Sequence, residues 1–457
     1  MAEVFSESLA YPQMKKRSVS ARSYRLKLPP SNSTSFSPEQ TIHFDLPSNL
    51  MGQYIDFSSL YVKMKVNNGA AQAITLDRMG AYGFIKRLQI STAGAQIADI
   101  NNYGLLVGAF LDTDASMEWK AGYGAQLLGL EGDALRGVSQ AVSTSRTYCL
   151  PLVCNPLFNT TPHRMIPLCS LSSIQLRLTL ASAAEAVFAG GAPALTYTDV
   201  ELVAMITQLA PDAQAAVDAA TGGKYNILAT SFANTNATLA LNSPTLTQNV
   251  GFSYSSLERI IVIHRPSATV GAQGAYALGN RTTSALEQFA FMVNGELYPS
   301  RYIVVGDKGA ESTAEMLVAD HALVDFNKGS SINSGVVAGS LANTLVGPLS
   351  SIAPQVDKSN CFMLLDGAGT ISGDAAAAVG QQASNIGTFI CAVDFENGLS
   401  VNKSSHIYSG VSTIASTVQW VGTYGNAHAA AQVDFFACYT VLLSLDMKGS
   451  GVFAVSV

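Results

Sequence analysis

Apolar and polar residues alternate with a period of two along most of this chain, the pattern of strands with one face in a core and the other outside it. Ile174, Leu176, Leu178 and Leu180 alternate with Gln175, Arg177 and Thr179, and Leu60, Val62, Met64 and Val66 alternate with Tyr61, Lys63 and Lys65. Val200, Leu202, Ala204 and Ile206 alternate with Asp199, Glu201 and Met205. The run Val433, Phe435, Ala437, Tyr439, Val441, Leu443 and Leu445 predicts a long core strand that closes the chain. Ile260–Ile263 is apolar at every position and predicts a strand buried on both faces. Long helical stretches of Glu, Lys, Arg and Leu are absent, so the pattern predicts an all-β fold.

The order of these elements occurs twice. Phe84–Ser91 is followed by a turn at Ala93–Gly94, a short apolar segment and a candidate helix over Asn101–Leu111. Leu286–Val293 is followed by a turn at Asn294–Gly295, a short apolar segment and a candidate helix over Ser312–Phe326. Asn-Gly tolerates the positive φ of a type I′ hairpin turn, and Ser312 with Glu315 matches a capping box. Tyr148–Cys154 precedes the strand Ser173–Leu180, and Phe389–Phe395 precedes a Thr-rich run ending at Trp420. Cys149 to Ile174 spans 25 residues and its counterpart, Cys391 to Ile414, spans 23. Two related all-β domains in tandem suit few functions, and tiling a shell is one of them.

The boundary falls where the period-two runs stop. Pro211 and Gly222–Gly223 bracket an Ala-rich segment, which predicts a linker helix within 210–223. The first domain then covers 39–209 and the second 224–457, with a Gly-, Ser- and Ala-rich insertion at 327–387 placed at one end of its barrel. Residues 1–38 read as an N-terminal arm. Lys15, Lys16, Arg17, Arg22, Arg25 and Lys27 against Glu3 and Glu7 make this arm +4, so the net charge of −6 leaves −10 for the remainder. Pro29, Pro30 and the Ser/Asn run to Ser37 predict an extended tether. Such an arm is either a solvated tail or a basic surface lying against packaged nucleic acid or an anionic lipid layer.

Composition sharpens this picture. The chain has 457 residues, 48% hydrophobic and only 13% charged, against roughly 25% charged in ordinary soluble domains. So neutral a surface suits a subunit whose flanks meet other subunits. Tyr225–Leu257 and Gly329–Val356 are long and uncharged, but Asn, Thr, Ser, Gly and Pro interrupt both, so neither predicts a membrane span. Met1–Tyr11 lacks the apolar core of a signal peptide. The six cysteines (149, 154, 169, 361, 391, 438) show no zinc spacing and read as buried small hydrophobes of a reduced protein, and Cys149 and Cys154 point to opposite faces. Five N-x-[ST] sequons are what an Asn-rich chain of this kind holds by chance.

Catalytic spacings are missing. There is no Walker A, H-E-x-x-H, G-x-S-x-G or G-x-G-x-x-G, and no two of the six histidines lie within four residues of each other. Asp112–Thr113–Asp114 reads as a helix end or exposed turn, Asp394 and Glu396 as a solvated or inter-subunit polar face, and His264–Arg265–Pro266 as the end of a buried strand. Trp119 and Trp420 read as core or interface anchors. No catalytic, metal or cofactor site is expected.

Ile42–Pro47, Gly52–Asp56, Leu60–Val66, Phe291–Pro299 and the closing Phe436–Asp446 together resemble the double jelly-roll major capsid proteins of virophages and polinton-like viruses, in the wider lineage of adenovirus hexon and tailless-phage capsids. The resemblance covers the strand framework and not the insertion at 327–387. It implies two tandem eight-stranded jelly rolls with short helices in the connecting loops, standing side by side. Three copies would make a pseudo-hexameric homotrimer tiling the icosahedral shell of a double-stranded DNA virus. The implied partners are neighbouring trimers, penton and minor capsid proteins, and packaged DNA or an internal membrane beneath a basic arm (Lys15, Lys16, Arg17, Arg22, Arg25, Lys27). The implied location is the virion. Alternatives are a minor capsid, fibre-type or carbohydrate-binding β-sandwich protein, and a polysaccharide-acting enzyme, which the lack of convincing acid pairs disfavours.

Overall fold

The computed structural model describes residues 21–320 and 389–456, apart from 49, 70, 93–94, 117–118, 131–135, 161–162, 170–172, 190, 273, 306–309, 397–409, 426–427 and 447–452. Eight strands form a first sandwich: β1 (Ala21–Leu28), β2 (Thr41–Asp45), β3 (Gln53–Asn68), β4 (Ile85–Thr92), β5 (Ala95–Asn101), β6 (Ser145–Pro151), β7 (Gln175–Leu180) and β8 (Leu195–Leu209). One sheet runs β1–β8–β3–β6 and the other β2–β7–β4–β5, with every pair antiparallel.

The second sandwich repeats the plan. Its strands are β9 (Lys224–Leu239), β10 (Thr245–Asn249), β11 (Leu257–Pro266), β12 (Leu286–Val293), β13 (Glu296–Val304), β14 (Cys391–Asp394), β15 (Val418–Tyr424) and β16 (Ala431–Asp446). Its sheets run β9–β16–β11–β14 and β10–β15–β12–β13. Each strand of the first sandwich has its counterpart eight strands later, and each sandwich is an eight-stranded jelly roll.

Period-two sequences explain the cores. Ile42, Phe44, Val62, Met64, Leu176 and Leu178 turn into the first barrel, and Phe289, Phe291, Trp420 and Phe435 into the second. In β11, Ile260 and Val262 belong to the second core, whereas Ile261 and Ile263 pack with the cluster of the first. The stretch Ile260–Ile263 is apolar at every position because it lies between two cores. Across the seam, Phe110 stacks edge-on against Phe232, with ring centroids 5.6 Å apart.

Both barrels point the same way. Ala21 pairs with Leu209 at the end of β8, helix α2 (Pro211–Thr221) follows, and Lys224 pairs with Asp446. Chain entry, linker and the end of β16 therefore share one end, the linker end. Antiparallel alternation sends helix α1 (Tyr103–Asp114), helix α3 (Ala310–Ala319), and the β3–β4 and β11–β12 connections to the far end. Pro211 at the first turn of α2, and positive φ at Gly222 and Gly223, start and stop that helix as their chemistry dictates. Asn294 and Gly295 both take positive φ, as the hairpin turn requires.

Several expectations shift. Ala21–Leu28, expected within the N-terminal arm 1–38, is the first strand of the first barrel, because Tyr24, Leu26 and Leu28 pack against the core. The long strand β16 does not close the fold: Phe453–Ser456 pairs back onto it. Helix α1 begins at Tyr103 because Asn101 is still paired with Arg87 in the sheet. Ser312 lies inside α3 and not at its cap. Ile414 is an exposed turn residue, and the counterpart of β7 is β15. The turn at Ala93–Gly94, the end of the helix expected to Phe326, the insertion at 327–387 and Cys361 lie outside the described residues.

Candidate functional site

Three features draw attention: the basic first strand, an uncharged sheet face, and a buried charge cluster where the barrels meet.

Lys15, Lys16 and Arg17 lie outside the described residues. Arg22, Arg25 and Lys27 all lie on β1, an edge strand paired only with β8 among the described residues. All three are exposed, and Arg25 and Lys27 alternate with the inward Tyr24, Leu26 and Leu28. Charged side chains on an edge strand discourage stray pairing as well as supplying positive potential. The signal was present in the sequence as Tyr24–Arg25–Leu26–Lys27–Leu28, hidden within the basic composition around it.

The outer face of the β10–β15–β12 sheet carries no charge along three registers: Thr245–Thr423–Gln288, Thr247–Val421–Ala290 and Asn249–Gln419–Met292. The corresponding three strands of the first barrel bear Arg177 and Arg87 on that face. A sheet face neutral along these registers is matched to protein contact.

At the far end of the seam, Asp112 of α1 binds three cations. Its Oδ1 takes Arg78 Nη2 at 2.8 Å and Lys120 Nζ at 3.0 Å, and its Oδ2 takes Arg281 Nη1 at 2.7 Å. Arg78 and Lys120 belong to the first half and Arg281 to the β11–β12 connection of the second. Burial alone would raise the Asp112 carboxyl, but the three cations outweigh it and hold it well below the usual carboxylate range. Burial pushes the Arg281 guanidinium down to about 10 and lowers the Lys120 ammonium as well. Beside them Asp77 accepts from the backbone N–H groups of Arg78 (2.6 Å), Leu278 (3.0 Å) and Gly279 (2.9 Å). Desolvation still leaves its carboxyl raised. Asp112 ends a helix, as its D-x-D setting suggested, yet it is buried and not exposed. Nothing in sequence marks the adjacent pair Asp77–Arg78 as a neighbour of Lys120 or Arg281, because they come from three separate connections.

Other candidates are local or structural. Glu396 N–H donates to Asp394 Oδ1 at 2.9 Å, a contact within one turn. Trp420 is fully buried against Phe289, Phe291 and Phe435. Trp119 packs partly buried against the first core. His264 and Arg265 do end a buried strand, and each carries a buried polar contact. None of the five described cysteines forms a disulfide, and burial pushes Cys169 up to about 11. Among the described residues no group of three or more His, Cys, Asp or Glu is placed to hold a metal.

No family model and no curated protein matches the chain. Solved structures do. PBCV-1 VP54, fitted into a reconstruction of the virophage Sputnik, aligns with a TM-score of 0.60 at 12% identity, covering 98% of this chain and 99% of that one. The Faustovirus major capsid protein aligns at 0.57 and 9% identity, covering 95% and 92%. The Sputnik virophage structure aligns at 0.55 and 10% identity, covering 100% and 93%. Likeness at this identity is likeness of fold, and it runs the whole length of both chains: this protein has the double jelly-roll fold of viral major capsid proteins.

Proposed function

We propose that this chain is the major capsid subunit of an icosahedral double-stranded DNA virus, located in the virion and working as a pseudo-hexameric homotrimer. The observation that carries this reading is that two jelly rolls of one design stand side by side with the same polarity. Three such pairs around an axis supply six similar corners, and six corners tile a plane of hexagons. No catalytic role is needed, since the work is assembly.

Neighbouring copies meet through the uncharged β10–β15–β12 face, with contact areas in the range of obligate interfaces, roughly 2,000 Å² or more. The linker end faces inwards. Ala21 lies at this end, beside Leu209 and α2, and in this reading Lys15, Lys16 and Arg17, which precede it in sequence, serve the same inner surface. Arg22, Arg25 and Lys27 extend the basic strip along β1, towards packaged DNA or an internal membrane. The segment 327–387 starts after α3 and returns before β14, which supports the far, outer end for it. Penton and minor capsid proteins are the remaining partners in this reading.

Mass photometry of the purified chain, followed by negative-stain imaging, tests the reading. The expected result is a trimer that forms hexagonal arrays or shells. A well-folded protein that stays monomeric at micromolar concentration overturns it, and glycan binding by such a monomer would establish the alternative.

A further inference from the structure

The seam within one chain shows how two of these barrels dock. The first barrel packs on the outward face of the second barrel's β9–β16–β11–β14 sheet. Phe436, Ile261 and Ala392 form one outward row across β16, β11 and β14, and all three are sealed in the first barrel's cluster. The first barrel meets this face with α1, whose Phe110 touches Phe232, and with its edge strand β5, which lies beside β9. The counterpart sheet of the first barrel, β1–β8–β3–β6, carries a matching outward row of Val203, Tyr61 and Pro151 across β8, β3 and β6. Val203 and Tyr61, with Met205 on the same face, belong to neither core cluster, and Tyr61, Pro151 and Met205 are only partly buried. Lys63 and Glu201 pair at 3.3 Å beside this row, each about one-third exposed. An apolar centre with a charged margin is the anatomy of a protein interface.

The strand edges point to the same partner. Within the chain β5 and β9 lie side by side, whereas their counterparts β13 and β1 are edge strands of different barrels. All four run from the linker end to the far end. Native proteins cover or blunt such edges. Resting on the trimer inferred above, we propose that the Val203–Tyr61–Pro151 face binds the second barrel of another copy, whose β13 runs beside β1 as β5 runs beside β9. Each barrel then meets its neighbour through the same surfaces, alternately within a chain and between chains, and three copies close the ring. The uncharged β10–β15–β12 face remains for contacts between trimers.

Two measurements on the full-length protein test this. With p-benzoylphenylalanine in place of Tyr61, irradiation should give cross-linked dimers on a denaturing gel, and peptide mass spectrometry should place the link in residues 224–457 of the other copy. The same probe in place of Lys27 should link to Glu296–Val304. Tyr61→Glu should leave the thermal midpoint unchanged and weaken trimer formation about a hundredfold in sedimentation. A monomeric wild type removes the trimer itself. A wild-type trimer whose Tyr61 probe links only within its own chain, to residues 1–20, or to the first barrel of another copy overturns this contact alone, as does a folded Tyr61→Glu protein that trimerises like the wild type.

Discussion

Arg265 directs Nε and Nη2 at the same carboxylate oxygen of Asp434, at 3.0 and 2.8 Å, with both side chains sealed from solvent. The other oxygen of Asp434 accepts from Asn102 Nδ2 at 2.9 Å, so one carboxylate joins two strands of the second barrel to the start of α1 in the first. Removing one partner strands a buried charge, so Asp434→Ala should destabilise the protein by roughly 3–5 kcal/mol. The Arg265→Met, Asp434→Leu double variant should cost much less than either single change. Equilibrium urea unfolding of the set gives the comparison, and a double variant as unstable as the worst single would refute it.

Acid should weaken the fold through His264. Burial, with a further contribution from His428, depresses its imidazole to about 3, and its Nε2 lies 3.0 Å from the Tyr424 hydroxyl. The folded state therefore takes up this proton less readily than the unfolded chain, whose histidines titrate near 6.5. Stability from this group is fully present above about 6.5 and is lost as pH falls towards about 3, by up to on the order of 4 kcal/mol. Unfolding midpoints measured from pH 7.5 to 4 should decline, and His264→Gln should flatten the decline.

Gly279 leaves no room for a side chain. A Cβ there would collide with the Asp77 carboxylate and the Arg78 stem, in the strip where the second barrel's connection clasps the first. Gly279→Ala should cost roughly 1–3 kcal/mol by overpacking. Gly295→Ala meets open space but a positive φ, and should cost less. Parallel thermal melts rank the two.

Val421 lies at the centre of the uncharged sheet face, paired with Thr247 on one side and Ala290 on the other. Val421→Glu should leave the monomer folded, since the side chain points outwards, and should weaken self-association at least tenfold. Sedimentation of the variant against the wild type reports this, and unchanged assembly would free that face from the role proposed.

The basic segment divides into two parts with different expected costs. Lys15→Ala, Lys16→Ala and Arg17→Ala together should leave stability unchanged, with loss of anion binding that is steepest at low salt. Arg22→Ala, Arg25→Ala and Lys27→Ala alter exposed positions of a paired strand and should shift stability by no more than about 0.5 kcal/mol each. Shells that form and package normally at all salt concentrations with the first three removed would mean a merely solvated tail.

Residue order alone determined the strands, their inward faces and the doubling of the plan. A period of two is a local property: Leu176 and Leu178 must face one way and Arg177 the other, whatever they pack against. The linker helix was legible for the same reason, since Pro211 and Gly222 act on their own turn. What tertiary structure decided is everything that depends on which connections meet. Tyr24, Leu26 and Leu28 became a strand only because β8 offers an edge to pair with, and without that partner the basic residues between them dominate the reading. Ile261 is buried because a second core lies behind its sheet. Asp112, Arg78, Lys120 and Arg281 lie as far as 203 positions apart in sequence, from Arg78 to Arg281, and share one site only because two barrels with the same polarity bring their far-end connections together. Periodicity is written into neighbouring residues, whereas a charge cluster is written into the fold that brings distant ones into contact.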